Sequence, residues 1–313
     1  MSELASHDAN HGQNQLDLKA SQAPLPTKNQ QIHQPPKAIL LMCCAGLLFG
    51  ISSALLKTAS TNVPTFECAF FRTFVGFAFL LGLSLTGVKK TPIGNRKPLL
   101  FLRAILGGVA ALAYIWAIPR IELGLANGLN QTSPIFVCIF AAIFLKERFK
   151  WWNYLLVLLA FIGILLIVQP GVAGINAVAL VALGSGIVSA LAYVCVRILQ
   201  KTDSSQTIVM WLLGMTALLS VITAIWEPWI LPDGPTLGIL LLTGLTAFGG
   251  QLLMTHAYRF ASATIVAPFI YMSTFSSLII AFVAWGEIPN TAALIGCAVI
   301  IIASILIGVF NRK

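Results

Sequence analysis

The sequence predicts an all-α integral membrane protein with ten transmembrane helices arranged as two inverted five-helix repeats. Three observations predict it. Of 313 residues, 58% are hydrophobic and 9% charged, and the mean hydropathy is +0.90. A soluble domain carries about 25% charged residues, so this chain cannot cover itself with an ordinary aqueous surface. Apolar stretches of about 20 residues, long enough to cross a ~30 Å hydrocarbon core as helix, recur from Ala38 to Phe310. They lack the period-two alternation of barrel strands. Finally, a shift of about 140 residues lays one half of the chain on the other.

Residues 1–37 are rich in Gln, Asn, Ser and Pro and have almost nothing to bury, so they are expected to form a disordered cytoplasmic tail. The tail has no basic n-region, apolar h-region and small-residue cleavage site, which makes the first span an expected uncleaved anchor. Spans are expected at 38–58, 66–87, 99–118, 123–145, 151–169, 177–199, 206–226, 236–258, 263–285 and 291–310. Turn residues or charges separate them, as in "VKKTPIGNRKP", "QPGVAGIN", "KTDSSQ" and "EPWILPDGP". The first repeat then covers 38–169 and the second 177–310. Each holds an odd number of spans, so the second lies upside down relative to the first.

Ten spans put both termini on one side. That side collects sixteen of the nineteen Lys and Arg, leaving Lys57, Arg72 and Arg120 opposite. The positive-inside rule makes it the cytoplasmic side of a bacterial inner membrane. Topology therefore accounts for the net charge of +9, and no nucleic-acid partner is expected. Trp151 and Trp152 fall at a cytoplasmic boundary and Trp226, Trp229 and Trp285 at external ones, as an aromatic belt would.

The internal match is carried by particular strings. "LKERFKWWNYLLVLLAFIGILLIV" falls on "AWGEIPNTAALIGCAVIIIASILIGV", with Glu147 on Glu287, and "LANGLNQTSPIFVCIF" falls on "IVAPFIYMSTFSSLII". Inverted repeats around a midplane site are a common architecture of secondary transporters. Other chemistry finds no support. The six cysteines (43, 44, 68, 138, 195 and 297) lie inside spans without CxxC spacing or a His cluster. No phosphate loop, G-x-S-x-G or HExxH occurs. The chain is read as no enzyme, with no catalytic residue, metal or cofactor, and without a nucleotide-binding domain to drive it.

Charges inside spans ask for an account, since one at a helix centre costs about 2.5–3.5 kcal/mol. In "FECAFFRTF", Glu67 and Arg72 are five residues apart and point roughly 140° from each other on an ideal helix, so they are no simple pair. Glu67 lies within a turn of the external boundary and is expected to reach headgroups, water or Lys57. Arg72 lies deeper and needs a carboxylate, several carbonyls, a water-filled cavity or a substrate anion. Arg103 and Arg197, near cytoplasmic ends, are expected to snorkel outward. No carboxylate falls in the middle third of a span, which argues against strict proton coupling and against cation binding by a buried acid. A facilitator, an exchanger or a carrier coupled through His256 stays open.

The strings "FECAFFRTFVGFAFLL", "LLFLRAILGG", "LANGLNQTSPIFVCIFAAIFLKERF" and "GILLIVQPG" resemble the drug/metabolite transporter superfamily of the EamA-domain type, over about residues 38–310. They are most similar to the branch of S-adenosylmethionine carriers and exporters of other small metabolites. The first half fits better; "WGEIP" keeps the acidic turn, but no basic residue follows Glu287. The resemblance implies that the third, fourth, eighth and ninth spans, with the first and sixth, line a central cavity. On these helices the candidate substrate-binding residues are Asn127, Asn130 and Gln131, the aromatic Tyr114, Trp116, Tyr193 and Tyr271, and Gln251. Interhelical hydrogen bonding or packing is the alternative for each. Pro134 and Pro268 are candidate hinges. Glu67, Arg72 and His256 are candidate gating or structural charges. The resemblance implies a fixed role for Arg72, either bracing or contact with substrate. Glycines 46, 50, 107, 108, 184, 186, 249 and 250 are expected to let helices approach closely.

The expected function is alternating-access transport of a small polar or amphipathic organic metabolite. The rival readings are an exporter of drugs or toxic metabolites, and a membrane scaffold or enzyme. The expected partners are a small-molecule substrate and the lipid bilayer, with monomer and homodimer both open.

Overall fold

The computed structural model describes residues 34–85, 93–145, 151–168, 177–223, 225, 227–287 and 290–310. The expected tail, apart from residues 34–37, therefore lies outside the described residues, as do Glu147 and Trp226. Among the described residues the regular structure is entirely helical. The elements are α1 (Pro35–Ala59), α2 (Thr65–Leu85), α3 (Lys97–Ala117), α4 (Leu123–Asn130), α5 (Ser133–Phe144), α6 (Trp151–Val168) and α7 (Ala177–Leu199). They continue with α8 (Ser205–Thr223), α9 (Gly234–Phe260), α10 (Ala263–Val266), a 3-10 turn (Ala267–Tyr271), α11 (Met272–Trp285) and α12 (Thr291–Phe310). Among the described residues, eight segments are long and apolar enough to cross a membrane: α1, α2, α3, α7, α8, α9 and the composites Leu123–Phe144 and Ala267–Trp285. A shorter apolar stretch, Leu294–Ala303, lies in α12.

Local chemistry sets the helix ends. Pro35 opens α1, three residues earlier than expected, and Pro98 sits in the first turn of α3, where a missing N–H costs nothing. Asp233 caps α9, its Oδ1 accepting from Thr236 N at 3.3 Å. Gly286 ends α11 at φ +64°, a conformation that side chains other than glycine's disfavour.

The fourth span is interrupted at its proline. Gln131 and Thr132 form a turn between α4 and α5, and Pro134 takes the second position of α5. Proline cannot donate to the carbonyl four residues back, that of Asn130, so the ladder stops there. The ninth span is interrupted likewise, with Pro268 inside the 3-10 turn.

Packing repeats between the halves. Helix α1 lies against α9 and α3 against α7; α1 meets α11 and α7 meets α5; α2 meets α9 and α3 meets α8. Exchanging the halves converts each pairing into its counterpart, while α2 with α8 and α6 with α12 map onto themselves. Gly46 and Gly50 allow the close approach of α1 to α11: a Cβ at Gly50 would lie 1.9 Å from Ser276 Oγ. Gly184 departs from that expectation, with nothing within 4 Å. Large apolar side chains such as Leu40, Phe79, Phe101 and Val283 stand exposed on the outside, as a lipid-facing surface requires.

Candidate functional site

The polar residues of the helix interiors converge on a cavity of about 100 Å³. Phe49 and Ser53 reach it from α1, Arg72 from α2, and Arg103 and Tyr114 from α3. Asn127, Asn130 and Gln131 come from α4 and its end, Ser189 and Tyr193 from α7, Leu212 from α8, Gln251 from α9 and Ile270 from the 3-10 turn.

A hydrogen-bonded chain forms one wall. Tyr114 Oη donates to Asn127 Oδ1 at 2.5 Å and lies 2.9 Å from Ser53 Oγ. Asn127 Nδ2 donates back to the Leu123 carbonyl at 3.3 Å. Asn130 donates to Ser185 Oγ at 2.8 Å, and Gln131 Nε2 donates to Ser273 Oγ. The amide cluster thus lines the cavity and also bonds between helices, joining the two alternatives left by the sequence. The break in the fourth span places it there: α7 comes so close that a Cβ at Gly186 would fall 2.6 Å from the freed Asn130 carbonyl oxygen.

Arg72 and Arg103 bring positive charge. Arg103 is 1% exposed, so the expected outward snorkelling is corrected: its guanidinium folds inward. Gly107 makes the room, since a Cβ there would lie 2.0 Å from Arg103 Nη1. Arg197 does not snorkel either; it is buried and donates to the Tyr258 carbonyl at 2.7 Å. Glu67 turns away from Arg72, as the 140° separation requires, and its Oε2 accepts from Ile230 N at 3.0 Å. The expected reach of Glu67 to Lys57 is also corrected, because Lys57 forms its ion pair with Glu287. Glu287 Oε2 additionally accepts from Leu123 N at 3.3 Å, at the start of α4.

Three candidates lie elsewhere. Trp116 is half-buried under the Arg120 guanidinium, 4.4 Å from its ring centroid. Tyr271 lines an apolar groove of about 510 Å³ with Phe275, Leu278, Phe282 and Cys297. His256 Nδ1 sits 3.1 Å from the Leu252 carbonyl on its own helix. Pro134 and Pro268 flank the cavity in sequence but do not line it. The polar cavity residues missing from the sequence-based candidates are Ser53, Arg103 and Ser189. An Arg followed four residues later by Gly on the same helix face was the available signal for Arg103.

Bilayer-length helices, apolar outside and closed around a polar interior, define a multi-pass membrane protein. The chain belongs to the EamA-like transporter family, whose model matches it twice, over residues 36–169 and 176–309. Among its relatives, the pseudopaline exporter CntI of Pseudomonas aeruginosa is 32% identical over 272 residues, covering 85% of this chain and 94% of that one. A riboflavin transporter of Vibrio cholerae is 24% identical, covering 90% and 96%. An S-adenosylmethionine uptake transporter of Rickettsia felis is 23% identical, covering 84% and 88%. A solved crystal structure shares the fold at 19% identity, with a TM-score of 0.70 over 90% of this chain and 100% of that one.

Proposed function

We propose that this chain moves a small polar or amphipathic organic metabolite across the bacterial inner membrane by alternating access. The observation that carries the proposal is a polar cavity built from both family-matched segments: Arg72, Tyr114 and Asn127 belong to the first, Tyr193 and Gln251 to the second. Moving one segment against the other must reshape it. Its volume of about 100 Å³ is below the roughly 300–1,000 Å³ of a small-molecule pocket, so binding requires the segments to part. The relatives named for pseudopaline, riboflavin and S-adenosylmethionine support an organic metabolite as cargo, and the 32% identity to an exporter favours outward movement.

In this reading the chain crosses ten times as two inverted five-helix repeats with cytoplasmic termini. The interruptions at Pro134 and Pro268 serve as hinges. Tyr114, Asn127, Asn130, Gln131, Tyr193 and Gln251 contact the substrate. The Lys57–Glu287 pair joins the two segments at the external end.

The test is counterflow in vesicles reconstituted with the full chain, using amino acids, S-adenosylmethionine, riboflavin and opine-like metallophores. One class is expected to exchange, and Asn130→Leu or Gln131→Leu is expected to abolish exchange while the protein stays folded. Exchange of no class would refute transport of this kind. Wild-type rates in both variants would remove the amide cluster from the site.

A further inference from the structure

We infer that the transported molecule carries at least one carboxylate, held between Arg72 and Arg103. The inference rests on the carrier reading above and names its substrate class. Both arginines line the cavity and are buried, with Arg72 9% and Arg103 1% exposed. Among the described residues, no acid in the cavity neutralises them. Every described Asp and Glu lies at a helix end or in a turn, and none lines the cavity.

The unmet hydrogen-bonding capacity points the same way. Five cavity-lining polar atoms are buried without a protein partner among the described residues, and four are N–H donors: Arg72 Nη1, Arg103 Nε and Nη1, and Gln251 Nε2. The fifth is Gln131 Oε1. An arginine that only braces helices looks different. Arg197, equally buried, donates to the Tyr258 carbonyl at 2.7 Å, and Arg120 donates to the Trp116 carbonyl at 2.6 Å. Arg72, Arg103 and Tyr193 line the same cavity, so the two charges act on one volume.

A buried charge without a counter-ion is strongly unfavourable, as are donors without acceptors. A carboxylate answers both needs. It accepts through two oxygens, and its geometry matches the guanidinium fork. A cation would meet two like charges in a medium of low dielectric, and a neutral amide would leave both charges uncompensated.

The test is thermal unfolding of the purified full chain with succinate, glutarate or citrate, with the corresponding uncharged amides, and with choline, all at matched ionic strength. At least one carboxylate is expected to raise Tm by several degrees while its amide and choline do not. Arg72→Gln and Arg103→Gln are each expected to weaken that binding at least about tenfold, since a charged hydrogen bond is worth a factor of that size. Arg72→Lys and Arg103→Lys keep the charge without the fork and retain part of the shift. Without ligand, both Gln variants are expected to melt no lower than the parent, because each removes an uncompensated charge. A Gln variant that fails to fold identifies a brace and overturns the inference at that arginine. A carboxylate shift that survives intact in both Gln variants, stabilisation by the amides or choline, or no shift with any carboxylate overturns it entirely. Vesicle counterflow separates the two readings. Exchange of a neutral or cationic compound keeps the carrier and discards the anion site. A carboxylate that binds but never exchanges keeps the site and discards the carrier.

Discussion

Two glycines of α7, two residues apart and so on opposite faces of the helix, give opposite expectations on substitution by alanine. A Cβ at Gly186 would lie 2.6 Å from the Asn130 carbonyl oxygen, 2.7 Å from Thr132 Oγ1 and 3.0 Å from the Leu129 carbonyl oxygen. The hydroxyl can rotate, but the two carbonyls belong to the backbone of the α4–α5 break and cannot. The helices must part by at least 0.4 Å to bring the closest contact to 3.0 Å. Overpacking of this kind costs about 1–3 kcal/mol, and alanine's better helix propensity returns roughly 0.8–1.0 of it. Gly186→Ala is therefore expected to lose up to about 2 kcal/mol. Gly184→Ala meets nothing within 4 Å and is expected to gain up to about 1 kcal/mol. Thermal unfolding of the purified full chain should place the two variants on opposite sides of the parent by a few degrees each. Ligand affinity should fall only in Gly186→Ala, because the displaced backbone carries Asn130 and Gln131. A Gly186→Ala protein as stable as Gly184→Ala would refute the close approach of α7 to the helix break.

Other residues give shorter tests. Tyr114→Phe removes the donor to Asn127 Oδ1 and leaves a buried acceptor unmatched, an expected loss of about 1–3 kcal/mol; an unchanged Tm would show that the hydroxyl chain does not form. Glu287→Ala breaks the ion pair with Lys57 and removes the acceptor at Leu123 N, with an expected loss of about 1–2 kcal/mol. The charge-reversed double variant Lys57→Glu, Glu287→Lys should recover part of that loss in a double-mutant cycle, and additive effects would dissolve the pair. Asp203 Oδ1 accepts from Asn95 N at 2.6 Å and Oδ2 from Thr202 Oγ1 at 2.6 Å. Asp203→Ala should cost about 1–3 kcal/mol, and a Tm within error of the parent would show that this junction contributes nothing.

How far the sequence reveals such sites depends on whether the deciding interaction is local. Helices α7 and α12 begin and end where the turn residues and charges around their apolar runs place them, at 177–199 and 291–310. The bilayer length of the runs and the positions of the chain breakers suffice for that. The fourth span needed more. Pro134 signalled a disturbance, but the turn at Gln131 and Thr132 also has Gly186 of α7 closing on the carbonyls beside it, which local spacing does not reveal. Lys57 pairs with a residue 230 positions away, which no local spacing reveals, whereas Glu67 offered itself only by proximity in sequence. Tyr271 is a candidate because it is an aromatic residue on the ninth span, which the family resemblance implies lines the cavity. The 3-10 turn from Ala267 winds at 3.0 residues per turn instead of 3.6, so the side chains after it point elsewhere, and Tyr271 faces the apolar groove. Arg103 shows the same limit from the other direction. Its depth near a helix end allowed snorkelling, and only its direction decided the matter. That direction follows from Gly107, one turn on, which leaves the guanidinium a place to lie inward, although no described acid lines the cavity to hold it there. Depth in the membrane can be read from composition. The face a side chain presents is set by its neighbours on other helices, and in this protein that face places two arginines inside, with no acid beside them among the described lining residues.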